Sequence, residues 1–422
     1  MTGGSDSDAD GYRAAAELVL REEAPRIVSA LIRKSGSFDL AEDALQEAFS
    51  SAFVHWPKSG LPRNPGAWIM AVAERKLIDV ARRKRTQNHT IEALTYESAQ
   101  TTDQSRDEIE STEEYPDDRL RLIFTCCHPA LNLEARIALT LRTLGRLTTT
   151  EIARAFLLPE ATLAQRIVRA KTKIREARIP YEVPAHDALP ERLESVLAVI
   201  YLIFNESYSA TIGETLVRSD LAAEAIRLGR TLRELLAGEP EVLGLLALML
   251  LHDSRRDGRV NSRGELVPLE EQDRLRWHQA QIDEGMRTLD AAITHRRPGP
   301  YQLQAAIAAT HARATTADAT DWAEIAALYG QLVRLLPTPV VALNHAVALA
   351  MAEGFEEGLD RVDRLGAFGA LDGYRLYHAS RADLLRRLGR REEARSAYER
   401  ALALTTNRVE EAYLRKRVAS LG

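Results

Sequence analysis

The sequence predicts an all-α protein, and three observations support this prediction. Apolar residues recur at helical spacings of three and four through most of the 422 residues. Glycine and proline, at 23 and 16 residues, are sparse and fall mainly between these periodic segments. No long run alternates apolar and polar residues as a half-buried strand does. We therefore expect helical domains that are joined by short turns and one longer linker.

The bulk composition limits the class of protein. An apolar content of 45% allows hydrophobic cores, and the net charge of −5 conceals strong segregation of charge along the chain. Cys126 and Cys127 are the only cysteines, which excludes a disulfide framework and fits a reducing compartment. The sequence shows neither a signal peptide nor an apolar stretch that could span a membrane. We expect a cytoplasmic protein without a membrane partner.

The first predicted helices follow a short polar tail. Residues 1–11 are predicted to be disordered, and helical periodicity runs from near Tyr12 to a break at residues 35–37. A second helix is predicted to begin at Asp39, with an apolar stripe facing inward and a polar stripe facing outward. The inward residues are Leu45, Phe49, Ala52 and Trp56, and the outward residues are Asp43, Gln46, Glu47 and Ser50.

A cationic helix and an acidic segment come next. After a loop at residues 57–65, the helix is predicted to pack through Ile69, Ala73, Leu77 and Val80. Its four consecutive cations exceed what a helix C-terminus requires. Residues 90–118 then contain ten carboxylates and one arginine, which predicts a disordered or loosely held linker. The four cations are Arg82, Arg83, Lys84 and Arg85.

Residues 148–178 predict two helices joined by a tight turn. Thr148 and Glu151 have the spacing of a capping box, and Pro159 favours the start of a second helix. The second helix packs through Leu163, Ile167, Ala170 and Ile174. Its other stripe carries hydroxyl, amide and cationic groups, which reach bases and phosphates in a major groove. This segment alone leaves a solvated basic face as the alternative. The stripe consists of Thr162, Gln165, Arg166, Arg169 and Lys173.

The second half of the chain begins with an apolar helix near Leu189 and ends in repeat-like hairpins. Small and apolar residues between Ala382 and Ala401 have the spacing of a tetratricopeptide unit. Gly354 precedes Gly389 by 35 residues, close to the expected period of about 34. Such repeats stack and bind protein segments on the surface that they share.

Two local patterns raise other chemistry. Cys126, Cys127 and His128 suggest a metal ion, but adjacent side chains converge poorly and the sequence has no second cluster. A redox-sensing role for the thiols stays open, beside the simpler interpretation of a buried helix turn. The pairs Asn205-Glu206 and Gln272-Asp273 suggest catalysis, but neither pair combines a nucleophile with a base or has the spacing of metal ligands. We predict no metal, no cofactor and no enzyme activity.

Several segments together resemble one protein family. The stretches DLAEDALQEAFSSAFVHW and GAWIMAVAERKLIDVARRKR and the helix-turn-helix resemble the two domains of extracytoplasmic-function (group IV) sigma factors. These are the promoter-specificity subunits of bacterial RNA polymerase. The stretches RLIFTCCHPALNLEARIALTLRTLG, LPERLESVLAVIYLIFNESYSA and GELVPLEEQDRLRW are similar to the subgroup with a long tetratricopeptide-like C-terminal extension. The resemblance covers nearly the whole chain after the first dozen residues.

The resemblance implies a role for each segment. The helix from Asp39 would bind core RNA polymerase, the next helix and the loop before it would melt the minus-ten promoter element, and the helix-turn-helix stripe would read the minus-thirty-five element. Core packing is the alternative for Trp68. The polymerase contacts would be Asp43, Gln46, Glu47 and Phe49. The minus-ten contacts would be Arg63, Asn64, Trp68, Arg75, Arg82, Arg83, Lys84 and Arg85, and the minus-thirty-five contacts would be Thr162, Gln165, Arg166, Arg169 and Lys173.

The predicted function is a sigma factor that directs core RNA polymerase to selected promoters. We expect the extension to dock on the sigma domains and to control their access to polymerase. It would either support an active arrangement, which the continuous apolar junction favours, or hold the two domains closed in place of a separate anti-sigma protein. A protein partner on the repeats is left open. The alternative is a free-standing DNA-binding regulator that uses the repeats as a sensor or partner-binding module. The predicted domains are a tail (1–11), sigma region 2 (12–89), the acidic linker (90–118), sigma region 4 (119–182), a helical connecting domain (183–295) and the repeats (296–422).

Overall fold

Every element longer than three residues that the structure describes is an α-helix, so the predicted all-α class is confirmed. Among the residues that the structure describes, an isolated bridge between Val260 and Leu266 is the only β pairing. The structure is a computed structural model that describes Val19 and residues 23–90, 117–145, 147–156, 158–208, 219–367 and 369–421, without the side chains of residues 81–90, 154, 208 and 219. The predicted tail, the helix start near Tyr12 and nearly all of the acidic linker lie outside these ranges.

The chain divides into two units, Met1–Val196 and Leu197–Gly422. In the described part of the first unit, α1 (Ala24–Ser35), α2 (Phe38–Ser59) and α3 (Pro65–Thr90) pack against one another. The inward stripe predicted for α2 is confirmed, because its four residues are 0–9% exposed. In α3, Ile69 and Ala73 are fully buried, whereas Leu77 and Val80 are half-buried.

Both ends of α2 differ from the prediction. The helix begins one residue before Asp39, because the Ser37 hydroxyl accepts a hydrogen bond from the Leu40 N–H at 3.4 Å and caps it. The predicted loop at 57–65 is shorter, since α2 continues through Pro57 to Ser59. The Gly60 N–H closes the last turn on the Trp56 carbonyl at 2.9 Å, and Gly60 ends the helix with a φ of 86°.

Four helices form the second part of the first unit. They are α4 (Arg119–Cys126), α5 (Leu133–Thr143), α6 (Thr149–Ala155) and α7 (Glu160–Glu176), of which α6 and α7 are the predicted helix-turn-helix. The capping box is confirmed: the Thr148 N–H donates to Glu151 Oε2 at 2.7 Å, and the Glu151 N–H donates to Thr148 Oγ1 at 3.1 Å. The packing stripe of α7 is buried, with its four residues 1–8% exposed.

The apolar helix predicted near Leu189 is α8 (Leu189–Tyr208), and the division between the two units falls inside it. The helices of the second unit pack mostly against their neighbours in sequence, as stacked hairpins do. They are α9 (Ser219–Leu235), α10 (Pro240–Asp253), α11 (Gln279–Thr294), α12 (Pro300–Arg313), α13 (Trp322–Leu335), α14 (Pro339–Glu353), α15 (Phe355–Gly366), α16 (Arg375–Arg387), α17 (Arg391–Ala403) and α18 (Arg408–Ala419).

The two glycines spaced by 35 residues occupy equivalent positions in successive hairpins. Gly354 lies between α14 and α15 with a φ of 138°, and Gly389 lies between α16 and α17 with a φ of 74°. Residues with a Cβ rarely adopt these conformations, which explains the glycines. The small residues Ala382, Ala394 and Ala401 are fully buried and allow α16 and α17 to approach closely. Within the described ranges, no helix combines the length and the apolar character needed to cross a bilayer.

Candidate nucleic-acid interface

The outer face of α7 borders a cleft of about 520 Å³. All five residues that the sequence pointed to for the minus-thirty-five element line this cleft, so the structure brings them together. The opposite wall comes from residues 130–132 and from Ala135 in the first turn of α5. The five residues are Thr162, Gln165, Arg166, Arg169 and Lys173.

Local packing explains why these side chains face outward together. Leu163 and Ile167 are buried on the opposite side of α7, at 1% and 6% exposure, which orients the helix. The opposite wall is held by Asn132, whose side-chain oxygen accepts the Ala135 N–H at 2.8 Å and caps α5. The cleft therefore lies between two helices whose orientations are set by buried contacts and a cap.

The described lining of the cleft is cationic. Arg166, Arg169 and Lys173 contribute three positive charges, and none of the lining residues is an acid. Thr162 and Gln165 add a hydroxyl and an amide at the N-terminal end of α7. Arginine and lysine bind phosphates, and arginine and glutamine also pair with base edges. The chemistry of the cleft suits a DNA backbone and its bases.

The structure describes the side chains of only some of the residues predicted to contact the minus-ten element. Arg63, Asn64 and Arg75 are exposed. Asn64 also caps α3, since its Oδ1 accepts the Ala67 N–H at 3.0 Å. Trp68 is half-buried and meets Trp56 edge-on at 5.6 Å, so part of its ring belongs to the core. The side chains of Arg82, Arg83, Lys84 and Arg85 lie outside the described part of α3.

The predicted polymerase face of α2 is exposed except at one residue. Asp43, Gln46 and Glu47 lie at the surface, and Glu47 pairs with Lys76 of α3 at 3.2 Å. Phe49 is 8% exposed and belongs to the inward stripe, so it is not available as a surface contact. The reason is its helical position four residues after Leu45, which is also buried.

Sequence analysis missed two exposed apolar residues on α2. Phe53 is 49% exposed and Val54 is 55% exposed. Both follow Ser50 by three or four positions, so they continue the surface that begins with Asp43 and Gln46. The helical spacing from the polar stripe was the signal that could have found them.

The helix-turn-helix and the residues that flank its domain also contact α1 and α2. Lys171 Nζ of α7 lies 2.9 Å from Glu42 Oε2, and the Tyr181 hydroxyl donates to the Ser29 carbonyl at 2.8 Å. Arg33 of α1 pairs with the buried Asp118 at 2.7 Å. Burial raises the pKa of the Tyr181 hydroxyl, so this residue stays a neutral donor. Residues 117–181 are thus packed against α1 and α2 within the first unit.

The paired cysteines lie in the core of the helix-turn-helix part. Cys126 Sγ lies 3.3 Å from Thr143 Oγ1, and Cys127 Sγ lies 3.5 Å from Thr140 Oγ1. Burial raises the pKa of both thiols, that of Cys127 to about 11. Among the residues with described side chains, no group of three or more histidines, cysteines or carboxylates is arranged to hold a metal ion. The position favours the interpretation of a buried helix turn.

Comparison with known families assigns most of these parts. Residues 19–87 match the family described as Sigma-70 region 2, and residues 121–174 match Sigma-70, region 4. Residues 192–293 match a family of unknown function (DUF6596). A relative from Rhizobium meliloti (strain 1021), named "Uncharacterized protein R00370", is 46% identical over 407 residues, which is 96% of each chain.

These matches coincide with the helical parts of the structure. The region 2 match covers α1 to α3 with the exposed face of α2, and the region 4 match contains the cationic cleft of α7. The match to the family of unknown function begins within α8 and ends within α11. Such domains indicate a regulator of transcription that binds core RNA polymerase and promoter DNA. The chain therefore belongs to the extracytoplasmic-function sigma factors, in the subgroup with a long helical C-terminal extension.

Proposed function

We propose that the α7 cleft reads the minus-thirty-five element of selected promoters, that α3 and the loop before it open the minus-ten element, and that the extension supports the DNA-binding unit. The observation that carries the last part is the position of α8. Its first eight residues, 189–196, belong to the same unit as the sigma domains. The sequence that follows region 4 therefore contributes to the fold of the DNA-binding parts.

Promoter reading is supported by the division of chemistry within the cleft. Thr162 and Gln165 lie at the start of α7, where the N-terminal residues of a recognition helix meet base edges. Lys173 lies three turns further on, where a cation suits the phosphate backbone. Arg166 and Arg169 lie between these ends and can serve both purposes. The cleft can thus both position the DNA and discriminate among sequences.

Polymerase binding is supported by the mixed surface of α2. Asp43 and Gln46 supply polar groups, and the exposed Phe53 and Val54 supply apolar area further along the helix. Protein interfaces combine an apolar centre with a polar rim. Large apolar side chains that are half exposed on a small domain favour such an interface. We assign this surface, without Phe49, to core RNA polymerase.

The supporting role of the extension rests on two hydrogen bonds at the end of α4. The last carbonyls of a helix have no partner within the helix. Arg192 Nη2 donates to the Phe124 carbonyl at 2.7 Å, and the Ser195 hydroxyl donates to the Cys127 carbonyl at 2.9 Å. Ser195 also accepts from Arg136 Nη1 of α5 at 2.7 Å. Residues of α8 therefore complete region 4, and their loss would leave buried carbonyls without donors.

The test is reconstitution with core RNA polymerase, followed by sequencing of the transcripts that appear. The full chain should direct transcription from a defined promoter set. A chain truncated after Arg178 should be insoluble or should lose this activity. In the full-length chain, Arg192→Ala with Ser195→Ala should lower the free energy of unfolding of the first unit by about 1–3 kcal/mol for each carbonyl left unpaired.

Three outcomes separate the possibilities. Absence of core binding by the full chain would favour a free-standing DNA-binding regulator. A truncated chain that is soluble, binds core polymerase and transcribes as well as the full chain would show that the extension is no support. Higher activity of the truncated chain would instead assign the extension an inhibitory role.

A further inference from the structure

A segment between α10 and α11 is held in a defined shape by its own hydrogen bonds. The Asn261 side-chain oxygen accepts the N–H groups of Arg263 and Glu265 at 2.9 and 3.0 Å. The Asn261 side-chain amide donates to Glu265 Oε2 at 2.8 Å. The bridge between Val260 and Leu266 closes the resulting hairpin. We call residues 259–273, which contain this hairpin and the turn after it, the acidic arm.

The end of the acidic arm is a short 3-10 turn, Leu269–Glu271, with one apolar and two acidic residues. Leu269 packs against the buried cluster that contains Trp277 and Leu248. Because Leu269 is anchored there, the exposed Glu270 and Glu271 are presented together at the surface of the arm.

Both carboxylates contact arginines of the last repeats, far away in sequence. Arg387 Nη2 of α16 donates to Glu270 Oε2 at 2.6 Å, across 117 positions. Arg417 Nη2 of α18 donates to Glu271 Oε1 at 3.0 Å, across 146 positions. Lys416 also lowers the pKa of Glu265 through its charge, after the larger effect of the hydrogen bond from Asn261. The acidic arm and the end of the repeats therefore have complementary charges.

Each arginine is also oriented by partners in the repeats. Arg387 Nε donates to Asp383 Oδ2 at 2.7 Å, and its guanidinium carbon lies 5.3 Å from the centre of the Phe355 ring. Arg417 Nε donates to the Tyr413 hydroxyl at 2.8 Å. A guanidinium presents five N–H donors in a rigid fork, so a donor remains for the carboxylate. These orienting contacts do not involve the acidic arm, so they can persist when the arm leaves.

The two arginines are more covered than the two glutamates that contact them. The side chains of Arg387 and Arg417 are 21% and 20% exposed, whereas those of Glu270 and Glu271 are 42% and 56% exposed. Partly exposed ion pairs are weak in water, because solvent and salt screen them. A competing acidic segment can therefore replace the glutamates without disrupting a buried core.

We propose that Arg387 and Arg417 form a binding site for an acidic protein segment, and that Glu270 and Glu271 occupy this site as an internal ligand. The partner class is a peptide with two adjacent carboxylates after an apolar residue, as in Leu269-Glu270-Glu271. Arginine forks bind carboxylates with charge-assisted hydrogen bonds, and helical repeats bind protein segments on their shared surface. Binding of the partner releases the acidic arm. The proposal concerns the second unit and does not depend on promoter reading.

The experiment uses the full-length chain and a fluorescent nine-residue peptide that copies residues 265–273. In the Glu270→Gln, Glu271→Gln variant the internal ligand is weakened, and we expect the peptide to bind about two- to thirtyfold more tightly than to the wild type. Adding Arg387→Ala and Arg417→Ala to that variant should abolish binding. Arg361→Ala with Arg364→Ala, which removes two cations of α15, is the matched control and should leave binding unchanged. A peptide in which glutamine replaces the residues that correspond to Glu270 and Glu271 should not bind.

Equal affinity of the wild type and the Gln variant for the peptide would overturn the proposal. So would binding that survives the loss of both arginines. Far-UV circular dichroism checks that each variant is folded. Hydrogen exchange on the wild type needs no variant: excess peptide should increase exchange in residues 259–272, and the Gln peptide should not. Unchanged exchange at saturating peptide would equally contradict the internal-ligand assignment.

Discussion

Lys171 of α7 forms an ion pair with Asp39 of α2, with 3.0 Å between Nζ and Oδ1. The two promoter elements lie roughly 25 base pairs apart, which is about 85 Å of duplex at 3.4 Å per pair. A compact unit of 196 residues has a radius of gyration of about 16 Å. If α3 and α7 bind the two elements as proposed, they cannot reach both while Lys171 and Asp39 are in contact, so we expect this contact to open on the promoter.

Reversing the charge of Lys171 should favour the open arrangement before DNA is added. Lys171→Glu places a carboxylate beside Asp39 and Glu42, which replaces two attractions with repulsions. We expect the population of the open form to rise about five- to thirtyfold, because two ion pairs that contribute about 0.5–1 kcal/mol each are lost. Energy transfer between one dye on α1 and one on α5 measures this change.

Lys173→Glu is the matched control, since it makes the same charge change on the same helix at a residue that faces the DNA cleft. It should leave the distance between the dyes unchanged. An identical shift in both variants would mean that net charge, not the contact with Asp39, holds the two parts together.

Promoter discrimination should depend on the two arginines in the middle of α7. Replacing Arg166 or Arg169 with alanine should cost about 1–3 kcal/mol of binding if the residue makes a bidentate base contact. Arg175→Ala, on the same helix but outside the cleft, should bind as the wild type does. Binding to a promoter library with and without the minus-thirty-five element measures both affinity and choice. Unchanged promoter choice and affinity in both variants would contradict the assignment.

The cations at residues 82–85 should set the salt dependence of DNA binding. Each phosphate contact contributes roughly 0.9 to the slope of log affinity against log salt for duplex DNA, and about 0.7 for single strands. Replacing Arg82 and Arg83 with alanine should therefore flatten the slope by about one to two. Affinities measured at several salt concentrations give this slope. Lys58→Ala, at the end of α2, is the control and should leave the slope unchanged. A wild-type slope in the double variant would show that Arg82 and Arg83 do not contact the phosphates.

The second unit should lose stability in mild acid through the half-buried His311. Burial, reinforced by Arg255 and Arg274, lowers the pKa of His311 to about 4, below its usual 6.5. Between pH 6.5 and pH 4, His311 is therefore protonated in the unfolded chain but neutral in the folded chain. The free energy of unfolding falls as the pH drops through this range. At pH 5 the loss is about 2 kcal/mol relative to pH 7. The pKa of His252 is lowered in the same direction, chiefly by burial.

Urea unfolding at pH 7 and pH 5 measures this loss. His311→Gln should reduce the difference between the two pH values, because the glutamine cannot accept the proton. His295→Gln, an exposed position just after α11, should leave the difference as in the wild type. A pH dependence that is the same in all three proteins would show that His311 is not responsible.

The features that sequence analysis predicted correctly are local. The capping box of Thr148 and Glu151 depends on residues three positions apart, and the buried stripe of α7 depends on one helical period. The five residues of the cationic cleft followed from the same period, since removing the packing stripe leaves only one face for them. These signals are present in a short window of sequence.

The features that could not be predicted from the sequence depend on tertiary contacts, or on positions where two local sequence signals predict different structures. Lys171 and Asp39 are separated by 132 positions, and periodicity carries no information about such pairs. The acidic arm likewise meets Arg387 only through the packing of distant helices. Pro57 predicted a loop, but the buried Trp56 and the hydrogen bond from Gly60 keep the turn helical. Phe49 was predicted to lie on the buried stripe of α2 and was also named as a polymerase contact, and its burial is compatible only with the first assignment.

The caps that α8 places on α4 also set the order of events during synthesis. Region 4 ends in sequence near Arg178, but the Phe124 and Cys127 carbonyls receive their donors only from Arg192 and Ser195. A ribosome adds the 17 residues from Arg178 to Ser195 in about 1–3 s, and until then the nascent DNA-binding unit is incomplete. A chain that ends in this stretch carries all the residues proposed to contact the promoter but lacks the donors for these two carbonyls. We therefore expect such fragments to be less stable than the full chain and to compete poorly for polymerase.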